Sequence, residues 1–275
     1  MTEPTLAPAT VTTIPSLKRL PTGIPGLDAV LDGGLVVGDS YLINGRSGTG
    51  KTVLGNHLAF NHARAGGVAL YVTTLAETHG QLLAHLSNFH FLAHDLVAQR
   101  VHYVNIYTEL QQNGLAGVLD LLRRLVREHR ATLLVVDDAG IFGDFATSPV
   151  DYRHFVYELH AQLGVLGCTT LLLSDQQEPL LQAIVPVVDG ILVLEDTSVG
   201  LRNLRLLHPL KVRGVHYLRG RHPFAITNAG IEVYPRLESI PLPTPKTPGP
   251  PAQPATARLG FGVAGLDDML RGGIA

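Results

Sequence analysis

Tryptophan is absent from this chain, methionine occurs twice, cysteine once, and aromatic residues make up 6% of its 275 positions. A single thiol, Cys168, cannot close an internal disulfide, so no disulfide framework holds the fold and a reducing compartment is expected. Charge is also scarce, at 16% of residues with a formal net charge of −2. That balance supplies no general basic field to draw in nucleic acid or an anionic membrane. No uninterrupted apolar run approaches the ~20 residues of a membrane span; the stretch 180–194 is broken by Pro186 and Asp189. Residues 1–15 have neither a basic leader nor an apolar core, and they read as a disordered lead-in rather than a signal peptide. What remains is the profile of a cytoplasmic α/β protein, 45% hydrophobic and long enough to bury a full core.

Strand-like apolar runs at 40–44, 69–73, 101–106, 132–136 and 169–174 alternate with helical patterns at 53–65, 81–89, 116–129 and 150–163. Such alternation predicts a largely parallel sheet covered by helices on both faces. After Gly190 the pattern changes to short consecutive strands at 191–194, 201–207, 224–227 and 231–234, with Asn228-Ala229-Gly230 as turn chemistry. They predict an antiparallel extension of the main sheet. Seven prolines and one charge, Lys246, fall between Pro241 and Pro254, the composition of a semi-rigid linker. The compact domain is therefore expected over 16–238 and the linker over 239–257.

Past the linker the chain repeats itself. The frame R-L-x-x-G-x-x-G-L-D-x-x-L-x-G-G runs from Arg19 to Gly34 and again from Arg258 to Gly273, an offset of 239 residues. A second phosphate loop would fall nine residues beyond Ala275. The expectation is one full domain plus the opening segment, 258–275, of a tandem copy that cannot bind nucleotide by itself.

Gly45-Arg46-Ser47-Gly48-Thr49-Gly50-Lys51-Thr52 fills every fixed position of the P-loop pattern G-x-x-x-x-G-K-[ST]. It lies between a strand end and a helix start, where backbone N–H groups and the helix dipole favour a polyphosphate. Lys51 would reach the β- and γ-phosphates, and Thr52 would hold Mg²⁺. An apolar strand ending in Asp137 matches the carboxylate that organises Mg²⁺ and its waters. Asp138 could add to the metal shell or simply close a turn. Glu77, after the strand 69–73, could sit beside the γ-phosphate as a catalytic carboxylate, although position alone does not distinguish it from a surface glutamate. His85, His90 and His94 cluster without a metal-ligand spacing.

The lead-in, the P-loop, the strand Tyr71-Val72-Thr73 with Glu77-Thr78, and the Asp137 strand are joined by a tail. That tail is Lys211-Val212-Arg213-Gly214 followed by His222-Pro223-Phe224-Ala225-Ile226-Thr227-Asn228-Ala229-Gly230-Ile231. Together they resemble the KaiC-like branch of the RecA superfamily over roughly 19–235, and the resemblance resumes at Arg258. Duplication is typical of the circadian-clock members of that branch. The resemblance implies a RecA-like P-loop fold and a homo-oligomeric ring, usually a hexamer, with ATP and Mg²⁺ between neighbouring subunits. It implies nucleotide contacts from Gly45, Ser47, Gly48, Thr49, Gly50, Lys51, Thr52, Val53 and Asn228, with Thr52 and Asp137 on the metal. Glu77 and Lys51 would act from one subunit, while Lys211 and Arg213 reach in from the next as cationic fingers.

Three positions depart from the family pattern. Ala76 replaces the first of two glutamates, Tyr217 stands where histidine is frequent, with His216 before it, and Asp138 replaces a common serine. Each touches hydrolysis rather than binding, so slow or vestigial turnover in a regulatory or signalling role is expected. Its regulatory protein partners are unknown, and autophosphorylation of this chain is not expected. The rivals are a nucleotide-gated scaffold and a DNA-dependent recombinase or helicase. Segments 139–150 and 175–184 contain no Lys or Arg, which argues against DNA in the ring centre.

Overall fold

The computed structural model describes residues 17–74, 79–175, 180–200, 202–239 and 260–271. In chain order the elements are β1 (Arg19–Leu20), α1 (Pro25–Val30), β2 (Leu35–Val36), β3 (Ser40–Gly45), α2 (Lys51–Arg64), β4 (Ala69–Thr73), α3 (His79–Leu86), β5 (Val101–Asn105), α4 (Tyr107–His129) and β6 (Leu133–Asp137). There follow α5 (Ile141–Phe145), α6 (Pro149–Val165), β7 (Thr169–Ser174), α7 (Leu180–Ile184), β8 (Gly190–Val199), β9 (Arg202–Val212), β10 (His222–Thr227), β11 (Gly230–Val233) and α8 (Ala264–Met269). The chain divides into two units, Met1–Ser239 and Ile240–Ala275.

Among the described residues of the first unit, nine strands form one sheet in the order β11-β10-β9-β8-β3-β7-β6-β4-β5. The six strands from β8 to β5 run parallel, and β9, β10 and β11 extend the sheet antiparallel. The parallel strands are apolar at consecutive positions because both faces are covered. Tyr41, Ile43, Tyr71, Val135, Leu171 and Leu173 point into a core beneath α1 and α2. Leu42, Leu70, Val72, Leu134, Val136 and Leu172 point into the opposite core, beneath α4 and α6. This is the predicted α/β fold with its antiparallel extension.

Several boundaries differ from expectation for identifiable reasons. Helix α4 starts at Tyr107 rather than 116, because Gly114 interrupts it with φ 63° and ψ −160° and hides the continuity of the pattern. Strand β9 runs to Val212, past the expected end at 207, although Pro209 lies inside it. Pro209 sits opposite Leu192, where the β8–β9 register shifts between Ile191 and Leu192, and such an irregularity accommodates a residue without a ladder N–H. The short helix α1 carries too few residues to show a period, and it went unread.

Helix α1 packs so closely on β11 that a Cβ on Gly26 would lie 1.7 Å from the Val233 carbonyl oxygen. Beside it, His57 of α2 is buried, accepts a hydrogen bond at Nδ1 from Ile231 N–H (3.2 Å), and stacks on Phe91 at 4.7 Å. Burial, with the Arg64 charge adding, holds its pKa down to about 4.

The described part of the second unit, 260–271, reproduces the backbone of 21–32. Asp28 accepts from Thr22 N–H and Gly23 N–H, and Asp267 accepts from Phe261 N–H and Gly262 N–H. The residue before each helix is extended, Ile24 at φ −113° and Val263 at φ −112°. Asp32 and Arg271 close the two segments in the left-handed region, at φ 53° and 52°.

Two predictions follow from this packing. Gly26→Ala should cost about 2 kcal/mol or more, since a backbone carbonyl cannot move aside as a side chain can. Gly265→Ala, with nothing within 4 Å of its Cβ, should leave the urea midpoint unchanged or slightly raised. The second concerns acid. Folding lowers the His57 pKa to about 4 from an unfolded value near ~6.5, so the unfolded chain binds the extra proton. Its contribution is complete above pH ~6.5 and is lost as pH falls toward 4. The stability–pH curve of His57→Gln should be flatter over that limb.

Candidate functional site

The P-loop leaves the C-terminal end of β3, the strand enclosed between β7 and β8, and its last glycine caps α2 at φ 104°. Gly50 needs glycine for its φ, and Gly45 needs it for space. A Cβ on Gly45 would lie 2.5 Å from the Leu194 carbonyl oxygen, and one on Gly50 would lie 2.7 Å from Ile226 Cδ1. Gly48 takes φ 84° with open space around it. Thr49 Oγ1 donates to the Arg46 carbonyl at 2.8 Å and draws the loop into a compact curl.

The first intrahelical bond of α2 runs from Leu54 N–H to Gly50 O at 2.9 Å. The N–H groups of Lys51, Thr52 and Val53 therefore face the mouth of the loop, at the positive end of the helix dipole. Lys51 Nζ lies over the loop, donating to the carbonyls of Gly45 (2.7 Å) and Arg46 (3.2 Å). Ser47 and Gly48 are exposed at the rim. A cavity of about 850 Å³ opens there, lined by residues 44–49 together with Asp175, residues 193–197 and Arg221. This is the size and concavity of a small-ligand site, bounded on one side by the glycine-rich loop and on the other by the β8 edge and Arg221.

Asp137 ends β6, two strands from the P-loop strand. The Tyr71 hydroxyl, from the neighbouring β4, donates to Asp137 Oδ2 at 2.8 Å. Burial, and then the Asp137 charge, push the Tyr71 phenol well above its ordinary range, so it stays a donor. Asn56 of α2 bonds the Tyr71 hydroxyl, accepts from Tyr103 OH at 2.7 Å, and donates to the Thr52 carbonyl at 2.9 Å. One buried network thus ties the strand-end carboxylate to the helix that carries Lys51 and Thr52.

Asp138 accepts at Oδ1 from Gly140 N–H (2.8 Å) and closes a turn. Burial raises its pKa, with Asp175 and Asp137 adding to the rise and Lys51 opposing it. Lys51, Asp137, Asp138 and Asp175 therefore share one field. Asp175 was not anticipated. The signal was available in its position directly after a parallel strand, since the C-terminal strand ends of such a sheet gather on one side.

The donor set suits Mg²⁺. A strand-end carboxylate and a threonine at the head of α2 offer hard oxygens, and Mg²⁺ is commonly held by one or two carboxylates plus substrate phosphates. Among the described residues no group of three His, Cys, Asp or Glu could hold a metal by itself. Glu77 and Ala76 lie outside the described residues. Asn228 is exposed in the β10–β11 turn, two residues beyond Ile226, which abuts Gly50.

Lys211 and Arg213 are not brought to this site. Lys211 lies opposite Ile191, and Ile191 lies beside Leu42 of β3. The level of Lys211 is thus about 10 Å below Gly45 along the strands and two strand spacings, about 4.8 Å each, to the side. Its ammonium turns further away, to the carbonyls of Val185 and Val188. Within one chain the glycine-rich loop with Lys51 therefore lies at one end of the sheet and the Lys211/Arg213 pair at the other.

A family model described as "ATPase: KaiC" matches residues 20–238. The chain is similar to the circadian clock oscillator protein KaiC of Parasynechococcus marenigrum (strain WH8102), 28% identical over 279 residues that cover 97% of this chain and 52% of that protein. It is 26% identical to the protein of the same name from Rippkaea orientalis over 277 residues, 96% of this chain and 51% of that one. It is also 29% identical to a UPF0273 protein of Thermotoga maritima over 237 residues, 80% of this chain and 97% of that one. The chain spans about half the length of the clock proteins it matches. No described helix is long and apolar enough to cross a membrane.

Removing the Tyr71 hydroxyl tests the buried network. Tyr71→Phe should weaken nucleotide binding about tenfold in the presence of Mg²⁺, as loss of an outer-shell partner does, and leave binding in EDTA unchanged. Titration of a fluorescent nucleotide under both conditions reads the difference.

Proposed function

The chain belongs to the KaiC ATPase family, and from that premise we propose that it binds Mg²⁺–ATP at the 45–52 loop and hydrolyses it slowly. The working form is a homo-oligomeric ring, hexameric as in the family pattern, with nucleotide between neighbouring protomers. Its role is regulatory or signalling, exerted through protein partners.

The observation that carries this reading is the separation of Lys51 from Lys211 and Arg213 at opposite ends of one sheet. No single protomer can bring both sets to one triphosphate, whereas a head-to-tail ring joins each cradle to the next protomer's cations. The N–H groups at the head of α2 and the Lys51 ammonium bind and orient the phosphates. Thr52 and Asp137 would hold Mg²⁺, which when bound neutralises charge on the β- and γ-phosphates. Glu77 would orient the attacking water and take its proton. Lys211 and Arg213 of the adjoining protomer would offset charge that develops on the transferred phosphoryl.

The substitutions at Ala76 and Tyr217 bear on rate. Tyr217 donates its hydroxyl to the Leu210 carbonyl at 3.1 Å, and so is turned back onto β9. A tyrosine there offers no imidazole, which supports slow turnover and also a second reading in which the assembly is a nucleotide-gated scaffold with negligible hydrolysis.

Particle mass in ATP and in ADP checks binding and assembly together. A ring in ATP is expected, and Lys51→Ala should lose roughly 2–3 kcal/mol of nucleotide affinity together with assembly. Phosphate release then separates the two readings: Glu77→Gln should reduce a measurable rate. Equal near-zero rates for both chains would leave the scaffold.

A further inference from the structure

Lys211 and Arg213 do not project freely from the sheet. Lys211 Nζ donates to Val185 O at 2.8 Å and Val188 O at 2.6 Å. Arg213 Nη1 pairs with Asp189 Oδ1 at 3.3 Å, Nη2 donates to the Pro186 carbonyl, and its N–H donates to Asp189 O at 3.0 Å. The turn 185–189 is thus a socket for both cations.

At its base, Asp189 is only 7% exposed. Its Oδ2 accepts from Ser40 N–H (3.0 Å) and Ser40 Oγ–H (3.3 Å), and His160 Nδ1 of α6 lies 3.4 Å away. The neighbouring Asp39 carboxyl is raised to about 6, first by burial and next by the Asp189 charge. A buried carboxylate is costly, and an apolar residue could close the same space at less expense. The charge has a use at this position because the Arg213 side chain stays 51% exposed above it. A planar guanidinium can hold one carboxylate and still present donors to a second anion.

We propose that Asp189 is a positioning residue: anchored to the start of β3 through Ser40, it aims Arg213, and through the shared turn Lys211, into the neighbouring protomer's nucleotide site. This rests on the trans-cation reading given above. The anchor also fixes a coupling route. Ser40 and Gly45 are the two ends of β3, so one strand joins the root of a protomer's own fingers to its own phosphate loop.

The test uses full-length chains and two readouts, phosphate release at saturating ATP and the ATP concentration that half-assembles the particle. Asp189→Asn keeps the size of the side chain and an acceptor for Ser40. It should lower the rate at least tenfold and raise the ATP needed for assembly, with nucleotide affinity of the unassembled chain changed less than twofold. Mixing supplies the decisive comparison. Glu77→Gln chains still bind nucleotide, assemble and retain the fingers, so they should restore phosphate release when mixed with Arg213→Ala and equally when mixed with Asp189→Asn. A mixture of Asp189→Asn with Arg213→Ala should stay inactive. Recovery with Arg213→Ala but not with Asp189→Asn would overturn the proposal and leave the trans reading standing. Recovery with neither would remove the trans reading and the proposal together. Should Asp189→Asn fail to fold, Ser40→Ala removes one bond of the anchor and should shift both readouts in the same direction. Unchanged readouts for Ser40→Ala would then overturn the proposal.

Discussion

The parallel pairing of β3 with β7 on one side and β8 on the other is the constraint on which the rest depends. Each of these ladders runs the length of the strand, and both faces of the strand are buried. A strand so enclosed cannot slide, because a slip of one residue would exchange Leu42 with Tyr41 and Ile43 between the two cores. The 45–52 loop inherits that fixity at Gly45, and the turn that holds Lys211 and Arg213 inherits it at Ser40. Both features thus start from the ends of one strand that is paired on both sides and buried on both faces.

The second fixed point is the seat of α2. A Cβ on Gly55 would approach Leu173 Cδ1 to 2.8 Å and Val135 Cγ1 to 3.1 Å, so the helix rests almost directly on the sheet. Close approach brings Asn56 within bonding distance of Tyr103 and Tyr71, and Tyr71 in turn bonds Asp137. The polar network is buried and satisfied, the condition under which such networks rigidify a site rather than weaken it. Asn56 does not touch the phosphate cavity, yet it links the helix end to the strand-end carboxylate.

Much of this was legible in the sequence because the signals were local. The P-loop has a fixed spacing, the central strands are continuous apolar runs, and Asp137 follows one of them. What escaped was non-local. The Tyr71–Asp137 bond spans 66 positions, and the Asp189–Ser40 contact spans 149; no window-based pattern pairs such residues. Asp175 carried a local signal in following a strand, but its nearness to Asp138 comes from the strand order, in which β7 lies between β3 and β6. The extent of β9 was missed for the opposite reason. Pro209 interrupts the local strand pattern, while a register shift in the partner ladder accommodates it.

The repeated segment separates these two kinds of information within one molecule. Around α1 and α8 the aspartate cap, the extended residue before the helix and the left-handed residue after it agree to within a few degrees. The backbone of the motif is therefore written in its own dozen residues. Burial is not. Leu27 and Val30 are fully buried against the sheet of the first unit, whereas Leu266 is 40% and Met269 82% exposed. Gly26 has a reason in the Val233 carbonyl pressed against it, while Gly265 has no neighbour that calls for glycine. The motif therefore carries its backbone geometry in its own residues, and in the first unit that geometry seats Gly26 against the Val233 carbonyl.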